Sequence, residues 1–293
     1  MHVDEVTTDA SLVRRLLAAQ FPHWAGLPIA PVPSAGTDNA LYRLGNEMAV
    51  RLPRIHWAVD DVKKEQRWLP RLAPFVPLAI PAPLAMGAPG EGYPWHWSVY
   101  RWLEGENVPG EQIVDLQQAA IDLAQFLSAL QTIDISGAPL GSSRGQPLRT
   151  RDEDTRAAIA ALGGMIDTDA ATKAWEAAVR APDWDRSPVW FHGDMLPGNV
   201  LFDHDRVSAV IDFGAAGVGD PACDLMIAWS LFSGESREVF RAALAVDDAT
   251  WARGRGHALS QALIFIPYYL DTNPVGVARA WRAVDEVLAD AAA

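Results

Sequence analysis

The segment VWFHGDMLPGNVLFDHDRVSAVIDFG, residues 189–214, carries the strongest structural signal in the chain. Its NVLF and VSAVIDF runs are typical of two short strands, and the DHDR between them is typical of a hairpin turn. Asp194 and Asn199 flank a loop that contains a Pro-Gly pair. Asp212 follows an apolar run, so we expect it at the end of a buried strand, pointing into a cleft.

Asp194, Asn199 and Asp212 supply hard oxygen atoms at the edges of predicted strands. Catalytic groups usually lie in loops on a rigid scaffold, and carboxylate and amide oxygens are ligands that Mg²⁺ accepts. A further acid can take the proton of an attacking hydroxyl. We therefore expect Asp194 to orient a hydroxyl, and Asn199 and Asp212 to hold metal. The alternative is structural, because His, Asp and Asn in loops commonly form turns and caps.

The spacing H-x-D-x-x-x-x-N followed by D-F-G resembles the catalytic and metal-binding loops of the protein-kinase-like fold. With GDPACDL after it, the segment resembles in particular the aminoglycoside phosphotransferase family. The resemblance implies an α+β bilobal fold with a β-rich N-lobe and a mainly helical C-lobe, ATP or GTP as phosphoryl donor, and Mg²⁺. The chain departs from the family at Leu196, where relatives often carry His or another polar residue.

Residues around this loop have expected supporting roles. His192 should pack under the loop and bond to its backbone, and the family's aspartate similar to Asp224 braces the catalytic loop. Asp220, just before a proline, should cap the helix that follows. Gly193 stands where regulated protein kinases place Arg, and no long activation loop follows the Asp-Phe-Gly. A protein substrate is therefore not expected.

The chain changes from strand patterns to helix patterns after its first hundred residues, which predicts an α+β organisation. We place a nucleotide-binding lobe at residues 1–102, a linker near 102–105, and a helical lobe with the catalytic loop and acceptor site at 103–293. Expected strands cover the second half of 35–45, 47–54 and 94–105, with 81–90 as a loop. Expected helices cover 11–21, capped by Asp9 or Ser11, and 58–72, 115–133, 149–166, 168–179, 222–232, 237–245 and 251–270.

A kinase of this fold needs a cation on the nucleotide phosphates and an acid that holds the cation. Arg51 lies in the predicted strand where the family commonly has Lys, and its V-R-x-P-R context resembles the macrolide-kinase side of the family. Glu65 is its expected helix partner, and a guanidinium can bind phosphate through two donors. The alternatives are that both are solvated surface residues, or that Lys63 or Lys64 is the cation. A lysine pair on an exposed helix face is more often only solvated.

Further nucleotide contacts are expected in the N-terminal lobe. Ser34, Gly36 and Thr37 lie in the segment that would cover the phosphates, although an ordinary hairpin explains a single glycine equally well. The family binds the purine through linker backbone groups, which would include those of Tyr100 and Trp102. Packing alone is the other explanation for Trp102.

Composition limits the partners. The net charge of −13 argues against a nucleic-acid partner and is compatible either with a cationic small molecule or with solubility alone. No apolar run is long enough to span a membrane, and the first residues lack the apolar core of a secretory signal. Cys223 is the only cysteine, which fits a reducing compartment and a cytoplasmic location.

These expectations combine into Mg²⁺-dependent transfer of the γ-phosphoryl group to a hydroxyl of a small molecule, with an aminoglycoside or macrolide antibiotic as the expected acceptor. Glu104, Glu106 and the acidic run 152–154 are candidate contacts for an ammonium group, and 264–271 and Trp281 are candidates for an apolar acceptor wall. Solvated caps and core packing are the competing explanations. A choline- or sugar-kinase-like metabolic enzyme and a catalytically silent nucleotide-binding regulator are the alternatives.

Overall fold

The computed structural model describes residues 5–33, 38–107, 113, 115–141 and 143–292. Contacts within the chain divide it into two compact units. Unit 1 comprises Met1–Pro74, Ala79–Gly105 and Ala209–Gly214, and unit 2 comprises Phe75–Leu78, Glu106–Ser208 and Ala215–Ala293. The division of function between residues 1–102 and 103–293 stays a prediction.

Unit 1 contains an antiparallel sheet of five strands in the order β1-β2-β3-β5-β4. Register in the centre of the sheet pairs Leu41 with Arg51 and Arg51 with Ser98, which fixes the strand position of Arg51. The strands are β1 (Ile29–Pro31), β2 (Asn39–Leu44), β3 (Met48–Pro53), β4 (Pro83–Gly87) and β5 (Trp97–Arg101), and the helices are α1 (Ala10–Gln20) and α2 (Val59–Leu72).

Helix α1 begins where the sequence predicts it. The Asp9 side chain caps the helix by accepting a hydrogen bond from the Leu12 N–H at 2.7 Å. The apolar stripe of the helix packs into a core with β2, β3 and β5, and burial of each large aliphatic side chain contributes about 1.5–3 kcal/mol. The buried helix residues are Leu12, Val13, Leu16 and Leu17.

Strand β4 was expected to be a loop, and this expectation is wrong. The prolines and glycines of residues 81–90 suggested a loop, but β4 is an edge strand, where a missing N–H donor is tolerated. Gly87 also has a packing reason, because a Cβ atom there would lie 2.0 Å from the Trp97 ring. Strand β5 is shorter than the expected 94–105.

Unit 2 is mainly helical. Helix α3 is capped by Asp115, whose side chain accepts from Gln118, and it buries one face along its length. The helix expected over 222–232 is mostly a 3₁₀ segment, Pro221–Met226, followed by a single α turn. The helices are α3 (Leu116–Gln131), α4 (Asp152–Ala161), α5 (Thr168–Arg180), α6 (Ile227–Ser230), α7 (Gly234–Leu244), α8 (Asp248–Tyr269) and α9 (Pro274–Ala292), and α9 was not predicted.

The segment 189–214 contains three strands: β6 (Val189–Phe191), β7 (Val200–Asp203) and β8 (Arg206–Val210). β7 pairs with β8, and β6 pairs antiparallel with β9 (Gly217–Gly219), which follows the segment. The turn of this second pair has positive φ at His204 and Asp205, as a tight hairpin requires. The hairpin was predicted, whereas the three-residue strands β6 and β9 are too short to show a periodic pattern and were not.

Within the described ranges, no helix is both long and apolar enough to cross a membrane.

Candidate active site

The predicted catalytic loop begins directly after β6, in unit 2. His192 is fully buried, and its Nδ1 accepts a hydrogen bond from the Asp194 N–H at 3.2 Å. The N–H groups of His192 and Gly193 donate to the two carboxylate oxygens of Asp224, at 2.8 and 2.7 Å. Both expectations, a backbone-bonded His192 and a bracing Asp224, are confirmed.

Gly193 has a steric reason to lack a side chain. Its φ is +84°, in the left-handed region, and a Cβ atom would lie 2.6 Å from the main-chain oxygen of Ala215. The arginine that regulated protein kinases place at this point would therefore not fit without backbone movement.

The carboxylate of Asp194 is held at both oxygens. Asn199 Nδ2 donates to Asp194 Oδ2 at 2.9 Å and to the Asp194 main-chain oxygen at 2.8 Å. Arg144 Nη2 lies 3.3 Å from Asp194 Oδ1. The sequence predicted Asp194 and Asn199, but not Arg144, because nothing in the local pattern of residues 143–145 indicates the contact.

Asp224 should make stability depend on pH. Burial raises its pKa to about 6 from the usual 3.8, although His192 and the backbone N–H groups act in the opposite direction. Because the folded-state pKa lies above the unfolded value, the contribution of Asp224 is complete below about pH 4 and is lost as pH rises through about 6. The loss should be about 2–3 kcal/mol.

This effect can be measured as the pH dependence of the free energy of unfolding in urea, for the parent chain and for Asp224→Asn. The parent should lose stability relative to the variant between pH 4 and pH 7, since asparagine does not titrate. A difference between the two proteins that stays constant over this range would contradict the raised pKa.

Asp220 caps the 3₁₀ segment that carries Asp224. Its Oδ1 accepts from the Ala222 N–H at 3.0 Å, as expected. It also forms a buried ion pair with Arg253, with Oδ2 2.7 Å from Nε, which the sequence did not predict. Arg253 further donates to the main-chain oxygen of Pro182 at 2.6 Å.

Unit 1 contains the second group of predicted site residues. Arg51 Nη1 lies 2.7 and 2.8 Å from the two oxygens of Glu65, and Arg51 Nη2 lies 2.5 Å from Asp212 Oδ1. The Tyr100 hydroxyl donates to Glu65. Burial alone would lower the pKa of Arg51, but the carboxylates of Asp212 and Glu65 raise it well above its usual value. The structure therefore forms the expected Arg51–Glu65 pair and adds Asp212 to it.

Asp212 adopts φ +66°, which aspartate tolerates better than most residues. A left-handed residue two positions after β8 turns the chain sharply and ends the strand direction there. Its carboxylate reaches Arg51 from this conformation. Positive φ at a residue other than glycine is concentrated at functional sites, so the conformation agrees with a binding role.

The backbone around Trp102 is already used by the sheet. The N–H of Arg101 donates to Ala82 at 2.9 Å, and the N–H of Trp102 donates to Glu47 at 2.7 Å. The Trp102 ring is covered by the guanidinium of Arg43, 3.8 Å from the ring centroid. Packing therefore accounts for the Trp102 ring, and purine recognition by Tyr100 and Trp102 stays a prediction.

The lysine pair differs from its expectation. Lys63 is exposed, as expected, but Lys64 is half-buried. Lys64 Nζ lies 3.0 Å from Asp61 Oδ1 and donates to the main-chain oxygen of Gly214, at the end of the Asp-Phe-Gly. The expectation that both lysines are only solvated is therefore wrong for Lys64. The predicted phosphate contacts Ser34, Gly36 and Thr37 lie outside the described residues.

The candidate ammonium contacts have other partners or lie in solvent. Glu104 is exposed and lies 3.4 Å from Arg43. Asp152 accepts a hydrogen bond from the Trp175 indole at 2.7 Å and pairs with Arg156. The remaining candidates are exposed: Glu106, Glu153 and Asp154.

The donor atoms of the predicted metal ligands, Asn199 and Asp212, determine which metal ion they could bind. In the described part of the chain, no group of three or more His, Cys, Asp or Glu side chains could hold a metal alone. Asn199 uses its amide nitrogen on Asp194, so its Oδ1 is the atom suited to a hard cation. An aspartate and an amide fit Mg²⁺, which takes few protein ligands and completes its shell with phosphate oxygens and water. Joint coordination by Asn199 and Asp212 stays a prediction.

Comparison with known sequences agrees with this chemistry. A sequence model of the phosphotransferase enzyme family matches residues 30–257. An aminoglycoside 3'-phosphotransferase of Escherichia coli is 24% identical over 197 residues, which cover 64% of this chain and 64% of that protein. The chain thus spans less than two thirds of the length of this relative.

Solved structures share the fold. The aminoglycoside phosphotransferase APH(2")-IIia, in complex with GDP and kanamycin, is 18% identical with a TM-score of 0.76, over 95% of this chain and 98% of that chain. A macrolide 2'-phosphotransferase from Brachybacterium faecium is 24% identical with a TM-score of 0.63, over 94% of this chain and 98% of that chain.

These similarities confirm the α+β, protein-kinase-like fold that the sequence predicts, and they confirm the resemblance to aminoglycoside and macrolide phosphotransferases. The family match extends from β1 into α8 and includes both groups of site residues described above. The chain belongs to the phosphotransferase enzyme family.

Proposed function

We propose that the protein transfers the γ-phosphoryl group of ATP or GTP to a hydroxyl group of a small molecule, in the presence of Mg²⁺. One observation carries this proposal. The Asp194 carboxylate is held at both oxygens, on a loop whose N–H groups are fixed by Asp224. A base held in this way loses little freedom when it orients an acceptor hydroxyl, and orientation is a large part of phosphoryl-transfer catalysis.

The other residues take the roles that their chemistry suits. Arg51, fixed by Glu65, binds the nucleotide phosphates. Asn199 and Asp212 hold Mg²⁺, which when bound neutralises charge on the phosphate oxygens. Residues 1–102 would thus serve the nucleotide and residues 103–293 the acceptor, and the cellular nucleotide pool places the reaction in the cytoplasm.

Two acceptor classes compete. The names of the relatives favour an aminoglycoside or a macrolide, both amine-bearing alcohols. The other class is a hydroxylated metabolite without an amine. The positive charge of Arg144, which contacts Asp194 in the catalytic loop, favours this class because it would repel an amine-bearing acceptor. A nucleotide-binding regulator without catalytic activity is the least supported interpretation, because Asp194, Asn199 and Asp212 are all present.

The test is a transfer assay with the purified protein, Mg²⁺, and either ATP or GTP. The panel contains aminoglycosides, macrolides and hydroxylated metabolites, and both nucleoside diphosphate release and the phosphorylated product are measured. We expect transfer to at least one acceptor and no transfer when Mg²⁺ is chelated. Nucleotide binding without transfer to any compound would contradict the proposal and favour a regulator.

A further inference from the structure

Arg144 lies next to the proposed base. Its segment is tied to β9 by backbone bonds, from the Gly141 N–H to Val218 at 3.0 Å and from the Asp220 N–H to Gly145 at 3.2 Å. Its guanidinium lies 3.3 Å from Asp194 and is mostly buried. A guanidinium has five N–H donors, so one contact with Asp194 leaves donors for a second anion.

A second guanidinium lies against the same loop. A Cβ atom on Gly198 would be 3.1 Å from Nη1 of Arg279, so this α9 side chain contacts the loop one residue before Asn199. Arg279 is half-buried, and within the described ranges no carboxylate forms an ion pair with it. A half-buried guanidinium that no protein carboxylate neutralises has N–H donors that can bind an anionic ligand.

A third cation lies behind the first. Arg151 donates to Ser260 at 2.8 Å and to Gln261 at 3.4 Å, both neutral groups. Burial and the charge of Arg144 lower the pKa of Arg151 to about 10, although Asp154 partly offsets the effect. The buried imidazole of His257 responds to the same charges, since burial and the charges of Arg151 and Arg144 lower its pKa to about 3. Arg144 and Arg151 therefore place two positive charges close enough to influence each other on this side of the loop.

The acidic side chains that were predicted to bind a cationic acceptor do not neutralise the arginines beside the loop. Glu104 and Asp152 have cationic partners of their own, and the other candidate acids are exposed. In a chain with a net charge of −13, arginines gathered at one loop are not explained by composition. A polycationic acceptor would be repelled at this position.

We infer that the acceptor carries an anionic group, a carboxylate or a phosphate, which Arg144 and Arg279 bind beside the Asp194–Asn199 loop. The inference rests on the proposed phosphoryl transfer. Two guanidiniums against one short loop, Arg144 at Asp194 and Arg279 at Gly198, would fix the acceptor by its charged end, while its hydroxyl meets Asp194. The acceptor would then be anionic, in contrast to the cationic acceptor that the sequence predicted.

The experiment measures binding, by titration calorimetry, to the full chain saturated with Mg²⁺ and a non-hydrolysable ATP analogue. Four sugars share the glucose ring and carry different charged groups: glucose is neutral, glucosamine carries an ammonium, glucuronate a carboxylate and glucose 6-phosphate a phosphate. We expect one of the two anionic sugars to bind about tenfold or more tightly than glucose and glucosamine. The comparison of glucuronate with glucose 6-phosphate then shows whether the anion is a carboxylate or a phosphate.

Variants assign the effect to residues. Arg279→Gln and Arg144→Gln should each weaken binding of the anionic sugar about tenfold or more, with unchanged affinity for the ATP analogue. Arg180→Gln is the matched control, because Arg180 is exposed and, among the residues that the structure describes, forms an ion pair only with Glu176 on α5. Arg279→Gln keeps the test valid if Arg144→Gln disturbs Asp194.

The inference is overturned if glucosamine binds as tightly as the anionic sugars, if neither anionic sugar binds, or if the variants weaken the nucleotide analogue equally. The last result would mean that the arginines contact nucleotide phosphates instead. If the anionic sugars bind but no phosphoryl transfer to any acceptor is found, the proposed reaction fails and the anion site remains.

Discussion

Replacing Asp194 with asparagine should lower kcat by roughly 10²- to 10⁴-fold, the range for loss of a positioned general base. Asparagine keeps the size of the side chain but cannot accept the hydroxyl proton. It would also turn an amide NH₂ group toward either Arg144, which now forms an ion pair with the carboxylate, or Asn199, which now donates to it. Affinity for the nucleotide should stay within about twofold, because the loss falls on the chemical step.

The measurement is steady-state transfer to the best acceptor of the panel, together with nucleotide affinity by calorimetry. Asp203→Asn is the control, since Asp203 is an exposed acid at the end of β7. Parent-like turnover in Asp194→Asn would remove the base from the proposal. A large loss of nucleotide affinity would place Asp194 on the nucleotide rather than on the acceptor.

Much of the site could be predicted because its residues are close in sequence. The catalytic loop, the hairpin of β7 and β8, and the bracing role of Asp224 all lie within one continuous segment, where the order of residue types is informative. The Arg51–Glu65 pair was also predicted, because the resemblance to the kinase-like family implies a cation in this strand and an acid in the helix after it that holds the cation.

Other contacts depend on tertiary packing and could not be predicted. Arg144 meets Asp194 only because its segment is bonded to β9 across many residues. Lys64 looked like one of two solvated lysines, yet its helix face is turned toward the Gly214 carbonyl. Strand β4 has the composition of a loop, but its proline is tolerated in a strand because β4 lies at the edge of the sheet. For Arg144 and Lys64, the deciding partner is distant in sequence.

Breaking the buried Asp220–Arg253 pair should cost about 3–5 kcal/mol of unfolding free energy, because the remaining charge is left unpaired. The two side chains are 5% and 2% exposed. Asp220→Asn keeps an oxygen for the Ala222 N–H and removes the charge, whereas Arg253→Met keeps the apolar stem and removes the guanidinium. Each single variant should be destabilised, and the double variant should lose less than the sum of the two.

Urea unfolding followed by tryptophan fluorescence and circular dichroism measures the effect. Arg186→Met is the control: Arg186 pairs with Asp247 at 2.9 Å, but both side chains are exposed, so its loss should cost at most about 1 kcal/mol. Additive losses in the double variant would show that the two charges are not coupled. The pair matters for activity as well, because Asp220 starts the segment that carries Asp224, and Asp224 fixes the N–H groups before Asp194. Turnover should therefore fall in both single variants under conditions in which they remain folded, even though neither residue is proposed to contact the acceptor.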